Sequence, residues 1–325
     1  MRTSFRAVAI AAAVVAFAAV SQVSGETWSF GSASRIELDG ISGDVAIFPS
    51  KDGEISVRLE SNVIPAGAFE GRAGQAGDTV RLSEDWDRGS SSGSVLWTIY
   101  LPGRGVEAIK ISTSSGSLEA RDISARLDLD TASGSIDLTN VDLEGGSELS
   151  TASGDYKLSG MSLRAGTALS SASGDFELTD VELDPEVGIS TASGDVTCLR
   201  CRGQMNLSTA SGDVVLRESR IEGASEFSTA SGDVELYLDG MPEVDVMASS
   251  ASGDVKLHSD DYGGSYQLVL RAREDKGRIV TPFDYTSTRT YWDSHPYQEK
   301  IVVRGSGGPE ITLSTASGSV IVEKS

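Results

Sequence analysis

Eight copies of a four-residue string, Ser/Thr-Ala-Ser-Gly, constrain this chain more than anything else in it. They begin at Thr131, Thr151, Ser171, Thr191, Thr209, Thr229, Ser250 and Thr315, and a degenerate copy, Thr113-Ser114-Ser115-Gly116, precedes them. From Gly116 through Gly134, Gly154, Gly174, Gly194, Gly212 and Gly232 to Gly253 the steps are 18, 20, 20, 20, 18, 20 and 21 residues. The unit reads S-G-D-V-x-L-x-x-V-x-L-x-x-x-x-x-L-S-T-A. Two short stretches per unit, such as Val234/Leu236 and Phe227/Thr229, alternate with the period of two that marks strands. No 3.6-residue apolar stripe crosses residues 115–254.

A repeat this short cannot supply a four-stranded propeller blade, which needs about 40 residues. It suits one coil of a parallel solenoid, each unit stacked on the last at about 4.8 Å. A leucine-rich repeat has a similar length, but its L-x-x-L-x-L-x-x-N signature is missing. The expected fold is therefore all-β, a parallel β-helix-like solenoid in which Gly serves the same bend in every coil and like side chains form ladders.

The flanks carry the same grammar with decoration. Ile41-Ser42-Gly43-Asp44-Val45 repeats the core motif, and residues 35–38, 54–59, 79–82 and 95–101 alternate as strands. After His258 the period breaks for roughly three coils' length before Ser314-Thr315-Ala316-Ser317-Gly318 restores it. The organisation expected is a leader over residues 1–25, an N-terminal β cap with early coils over 26–114, the regular solenoid over 115–258, and C-terminal strands with an aromatic loop and a final coil over 259–325. Caps are needed because a bare stack would pair its edges with other chains.

Charge narrows the partners. With 27 Lys+Arg against 48 Asp+Glu the chain of 325 residues carries a formal charge of −21. Nucleic acid is thereby excluded, since a phosphate backbone would be repelled. The apolar run over residues 7–20 falls short of the roughly 20 residues a spanning helix needs. Preceded by Arg2 and Arg6 and followed by Ser21, Val23 and Gly25, it has the form of a secretory signal peptide cleaved after Gly25, with Ser21 as the alternative site. The chain is expected to be exported, to the periplasm or the cell surface, and not to span a membrane.

The S-G-D-V-x-L coils, the strand end Ile99-Tyr100-Leu101-Pro102-Gly103 and the closing Ser317-Gly318-Ser319-Val320 together resemble the adhesin-like β-strand-repeat family of bacteria. The likeness covers most of residues 30–325. It implies an exported, envelope-associated β-solenoid with no established catalytic residues.

Four features invite chemistry. Gly89-Ser90-Ser91-Ser92-Gly93 matches G-x-S-x-G, but a nucleophile elbow needs a strand before it and a helix after it, and a strand follows here. Cys198 and Cys201 form C-x-x-C inside a β coil, aligned over Leu178 and Val181. Export favours a disulfide between them, with a reduced core pair as the alternative; two Cys without a nearby His are too few ligands for zinc. Asp155, Asp175, Asp195, Asp213, Asp233 and Asp254 recur in six consecutive coils. Stacked at about 4.8 Å, neighbours repel by about 0.9 kcal/mol at water's dielectric and about 3–4 at an effective value of 20. Something must offset that: a backbone N–H accepted in each Asp's own turn, which is the favoured reading, or a bound cation such as calcium. Finally, Phe283, Tyr285, Tyr291, Trp292 and Tyr297 fall within fifteen residues beside Arg289 and His295. They read either as a cap over the open end or as a binding loop centred on Tyr285, Tyr291, Trp292 and Tyr297. Outward Thr ladders would suit ice, but alternation with Leu207 and Phe227 turns the Thr column inward.

The function expected is a structural or binding module of the cell envelope without catalysis or cofactor, its partner an envelope protein or a polysaccharide. The rivals are a carbohydrate-active β-helix enzyme, which would need interleaved carboxylates and cations in one cleft, and an envelope-stress sensor.

Overall fold

The computed structural model describes residues 24–87, 92–103 and 105–324. The leader expected over residues 1–25 lies outside them except for Ser24 and Gly25. The described residues contain no helix. The regular region is the expected parallel solenoid. Leu118–Arg121, Ile136–Thr139, Tyr156–Ser159, Phe176–Thr179, Val196–Leu199, Val214–Arg217, Val234–Gly240 and Val255–Asp261 stack in register on one face. A second face stacks Ala108–Thr113, Ser124–Thr131, Glu148–Thr151, Ala168–Ser171, Gly188–Thr191, Asn206–Thr209, Ser225–Thr229 and Val246–Ser250. The five coils from Ile136 to Thr229 each have three strands where the sequence suggested two. The third is a two-residue strand at the second V-x-L position of the unit, Glu182–Leu183 in one coil and Arg220–Ile221 in another.

The inward positions are apolar columns. Ile136, Tyr156, Phe176, Val196, Val214 and Val234 form one, and Leu149, Leu169, Ile189, Leu207 and Phe227 another, all fully buried. At roughly 25 cal/mol per Å² of apolar area, this continuous core is what makes the coils interdependent.

The Thr-Ala-Ser-Gly corner explains its own repetition. The buried Thr hydroxyl accepts the Gly N–H three residues on, at 3.1 Å from Gly212 to Thr209, and donates to the Gly carbonyl of the preceding coil, 2.8 Å from Thr209 to Gly194. The Gly is required by close approach and not by a left-handed backbone. A Cβ on Gly212 would lie 2.0 Å from the Gly194 carbonyl oxygen, and each equivalent Gly meets its predecessor the same way. Left-handed residues occur at the next corner instead, at Asn140, Gly160, Asp180, Arg200 and Glu218.

Stacking order departs from chain order at both ends. The strands Arg35–Ile41 and Asp44–Pro49 lie between Thr79–Trp86 with Ser92–Leu101 on one side and Ala108–Thr113 with Leu118–Arg121 on the other. Likewise Glu310–Thr315 and Ser319–Lys324 are wedged between Val246–Ser250 with Val255–Asp261 and Tyr266–Arg273 with Arg278–Val280. Thus the final Ser-Gly motif stacks directly on the motif at Gly253, and the segment between them forms the terminal layers. Outside these, the ladders become antiparallel, with Phe69–Ala76 and Ser24–Phe30 at one end and the hairpin Ser287–Asp293/His295–Arg304 at the other. At the first end Glu84 occupies the place of a missing coil. Its carboxylate accepts from Ser42 and Gly43 N–H and from the indoles of Trp86 and Trp97.

Candidate binding site at the end of the solenoid

The acidic column is a hydrogen-bonded ladder between coils. Asp155 accepts the N–H of Asp175 at 3.0 Å, Asp175 that of Asp195 at 2.8 Å, Asp195 that of Asp213 at 2.8 Å, Asp213 that of Asp233 at 2.7 Å and Asp233 that of Asp254 at 2.7 Å. Asp254 continues it to Ser319 N–H, across the wedge. The partner is the next coil and not the Asp's own turn. Each bond to a charged acceptor offsets the repulsion that stacking imposes. Among the described residues no group of three or more His, Cys, Asp or Glu is arranged to hold a metal ion.

Cys198 and Cys201 are bonded, with Cα atoms 5.8 Å apart, and both are buried. Cys198 takes the inward column position between Leu178 and Leu216. Gly89, Ser90 and Ser91 of the G-x-S-x-G string lie outside the described residues; Ser92 begins the strand Ser92–Leu101.

A cluster that the sequence reading missed sits on the outer side of the first face. The Arg217 guanidinium lies 4.1 Å from the centre of the Tyr237 ring, which stacks on His258 at 4.3 Å and 7°. Tyr237 donates to Glu235, and Lys256 bridges Asp233 and Glu235 at 3.0 and 2.8 Å. Burial alone would lower the Lys256 pKa, but these two carboxylates raise it above the ordinary lysine value. Burial lowers that of His258, against the pull of Glu323 at 3.3 Å. The signal was present as the in-register column Arg217, Tyr237, His258 and Glu323, visible only once the wedge is known.

The aromatic segment forms the terminal hairpin, and alternation divides its rings. Tyr291 and Tyr297 face each other across the hairpin, stacked at 5.8 Å and 17°. On that same side Glu299, 1% exposed, accepts from Arg271 at 2.9 Å and also from Arg289. The hydrogen bond from Arg289, joined by Arg271, holds its carboxyl below the usual glutamate range despite burial. This clamp ties the hairpin to Tyr266–Arg273. Trp292 points to the other side, the one that lower down packs Val302 and Leu268 into the core. It stands beyond the last coil and is 76% exposed. Thr290, Gln298, Thr288 and Lys300 share its side by register. Tyr285 lies at the far end of that row, with the Lys300 ammonium 4.5 Å from its ring centre, and Arg304 covers Phe283 at 5.1 Å. Phe283 in turn meets Tyr262 edge-on at 4.9 Å. Of the four aromatics expected together, Tyr285 and Trp292 therefore bracket one polar strip, while Tyr291 and Tyr297 back it from behind. Residues 264–304 carry seven Lys/Arg against five Asp/Glu, a reversal of the chain's overall balance.

Residues 33–267 match the family model described as Toastrack DUF4097. No curated protein matches the chain. A solved structure named "putative adhesin" from Parabacteroides distasonis is 10% identical, over 94% of this chain and 98% of its own, with a TM-score of 0.38. Another of that name from Parabacteroides merdae is 9% identical, over 94% and 96%, also at 0.38. A "putative lipid binding protein" from Parabacteroides distasonis is 13% identical, over 92% and 96%, again at 0.38.

Proposed function

The chain belongs to the Toastrack DUF4097 family, and from that premise we propose that it is an exported, non-catalytic binding module of the cell envelope whose terminal hairpin grips an anionic polysaccharide. The observation that carries this reading is Trp292, an indole 76% exposed on a hairpin fixed at its base by the Arg271–Glu299–Arg289 clamp. An indole held in the open on a rigid support loses little conformational entropy on contact and offers an apolar face for a sugar ring. Thr288, Thr290 and Gln298 beside it supply hydroxyl and amide groups, and Lys300 supplies charge. The surplus of cations at this end, on a chain that is otherwise strongly acidic, favours a ligand bearing carboxylate or phosphate.

The test is retention of the tagged protein on purified envelope polysaccharides, acidic and neutral. The expected result is binding to the acidic polymer that weakens with salt and falls by about tenfold or more in Trp292→Ala, in the range of a binding hot spot. Because Trp292 packs against little, its loss should leave the melting temperature unchanged. Equal retention of wild type and Trp292→Ala overturns the assignment to this end, and finding the protein only in the cytoplasmic fraction overturns the envelope role.

A further inference from the structure

The third face of the solenoid is a ladder that stops while acceptors remain. Ser162 N–H donates to Val141 O at 3.3 Å and Arg164 N–H to Leu143 O at 3.1 Å. One coil on, Glu182 donates to Met161 and Asp184 to Leu163; next, Arg202 donates to Val181 and Gln204 to Leu183. The last pair runs from Arg220 N–H to Cys201 O, 2.8 Å, and from Glu222 N–H to Gly203 O, 2.9 Å. The next acceptors in this register are the carbonyls of Ser219 and Ile221. Among the described residues no backbone or side-chain donor reaches either.

The cause is local. Every lower coil turns into the third face at a left-handed residue, the last being Glu218 at φ 48°. Its counterpart in the following coil is Leu238, which stays extended and buried while the strand Val234–Gly240 runs on. The chain then passes wide through Met241 and Pro242, leaving a cleft of about 550 Å³ over the open rung. Its floor is apolar, with Ile221 and Leu238 buried and Met241 and Val244 partly so. Its rim is acidic. Glu222 is shared between Arg202 at 3.4 Å and Arg220 at 3.2 Å, whereas Glu218, Asp239 and Glu243 make no ion pair among the described residues.

We infer that this cleft accepts an extended cationic peptide segment of another protein, which adds the next rung of the third sheet. An open sheet edge is a template for a strand. Two consecutive acceptors, an apolar floor and an anionic rim select a strand of alternating basic and apolar residues. In the register of the lower coils the outward residues donate and the inward ones pack. A guest running parallel therefore donates the N–H groups of its outward residues to Ser219 and Ile221, one in register with Arg220 and the next with Glu222, where a basic side chain meets the carboxylate that Arg220 shares, and drops the apolar residue between them onto Ile221, Leu238 and Val244. The site is remote in sequence from the aromatic hairpin and independent of it.

The experiment uses the whole protein and a labelled acetyl-Lys-Val-Lys-Val-Lys-amide, followed by fluorescence anisotropy. Two analogues carry backbone N-methyl groups, one on the lysine nitrogens and one on the valine nitrogens, and a third replaces Lys by Glu. The parent peptide should bind saturably. Methylating the lysine nitrogens should weaken it by roughly tenfold or more, the worth of a lost hydrogen bond or two, while methylating the valine nitrogens should change it by less than about threefold. The Glu peptide should not bind, and the exposed changes Asp239→Asn with Glu243→Gln should weaken the parent severalfold without moving the melting temperature. Absence of saturable binding, equal binding of the two methylated peptides, binding of the Glu peptide, or occupation of the cleft by a second copy of this chain that excludes the peptide would each overturn the inference.

Discussion

Asp195 accepts the backbone N–H of Asp213 at 2.8 Å, so a carboxylate is bonded to its own counterpart one coil away. The bond is exposed, and its worth is held near 1 kcal/mol by solvent. Asp195→Ala is expected to cost about that much. Asp195→Asn, which keeps an oxygen in place, should cost less than about 0.5 kcal/mol. Since the carboxylates are engaged with N–H groups, millimolar calcium should leave the melting temperature of the wild type where it is. Chemical denaturation of the two variants and a calcium titration of the wild type check this; a calcium-dependent rise lost in Asp195→Asn with Asp213→Asn would restore the cation reading.

Gly212 and Gly188 make a matched pair. A Cβ on Gly212 strikes the Gly194 carbonyl at 2.0 Å, whereas one on Gly188 meets nothing within 4 Å. Gly212→Val should therefore cost about 3 kcal/mol or more, or prevent folding. Gly188→Ala, beside Ala168 in the same column, should be neutral or stabilising by up to about 1 kcal/mol through the unfolded chain. If thermal melts place both variants together, close coil approach is not what the repeat glycines are for.

The stack was legible in the sequence because its period is written out: the spacing of Gly116 to Gly253 gives the coil length, and alternation gives Val214, Leu216 and Phe227 their inward direction. The third strand was legible too, in Val181 and Leu183, but two residues are too few for alternation to declare itself. What could not be read was neighbour choice. Thr315 and Gly318 would fit above any coil, since a repeat is by design compatible with all its copies, so nothing local says that they sit on Ser250 and Gly253. The pairing of Arg217, Tyr237 and His258 with Glu323 was hidden for the same reason. At the candidate site the aromatic residues were visible by composition, but their division into two sides depends on the hairpin register, and Glu299 gave no sign of its burial.

Cys198 and Cys201 close a very small loop, for which the chain-entropy account gives a stabilisation of about 2 kcal/mol. Reduction should lower the melting temperature by a few degrees in a chain of this size. Intact mass after alkylation of unfolded, unreduced protein should reveal no adducts, and two after reduction. Two adducts without reductant would mean that the thiols are free in the protein as made.

The His258 ring, packed on Tyr237 and close to Lys256, Arg217, Glu235 and Glu323, titrates below the ordinary 6.5 because burial disfavours its charge. The unfolded chain then takes up a proton that the folded chain refuses. Stability should thus be intact above pH 6.5 and decline as the pH falls from 6.5 toward the folded pKa. His258→Phe keeps a ring in the stack and removes the proton, so denaturation profiles between neutral and mildly acidic pH should be flatter for the variant. Parallel profiles for the two proteins would show that His258 contributes nothing to the acid limb.

The wedged position of residues 310–324 bears on timing. A chain made from its N-terminal end holds Tyr266–Arg273 in hand while Glu310–Thr315 is still to come, an interval of about 2–8 seconds at ~5–20 residues per second. During that interval Val246–Ser250 presents an edge to the wrong suitor, and a strand that later belongs one layer away can reach it first. A chain stopped at residue 305 should settle into that premature pairing, with Tyr266–Arg273 protected from hydrogen exchange against Val246–Ser250. If the truncated chain leaves both strands unprotected, no such rival exists. Where that premature pairing forms, seating residues 310–324 requires opening it again, and maturation then waits on their arrival.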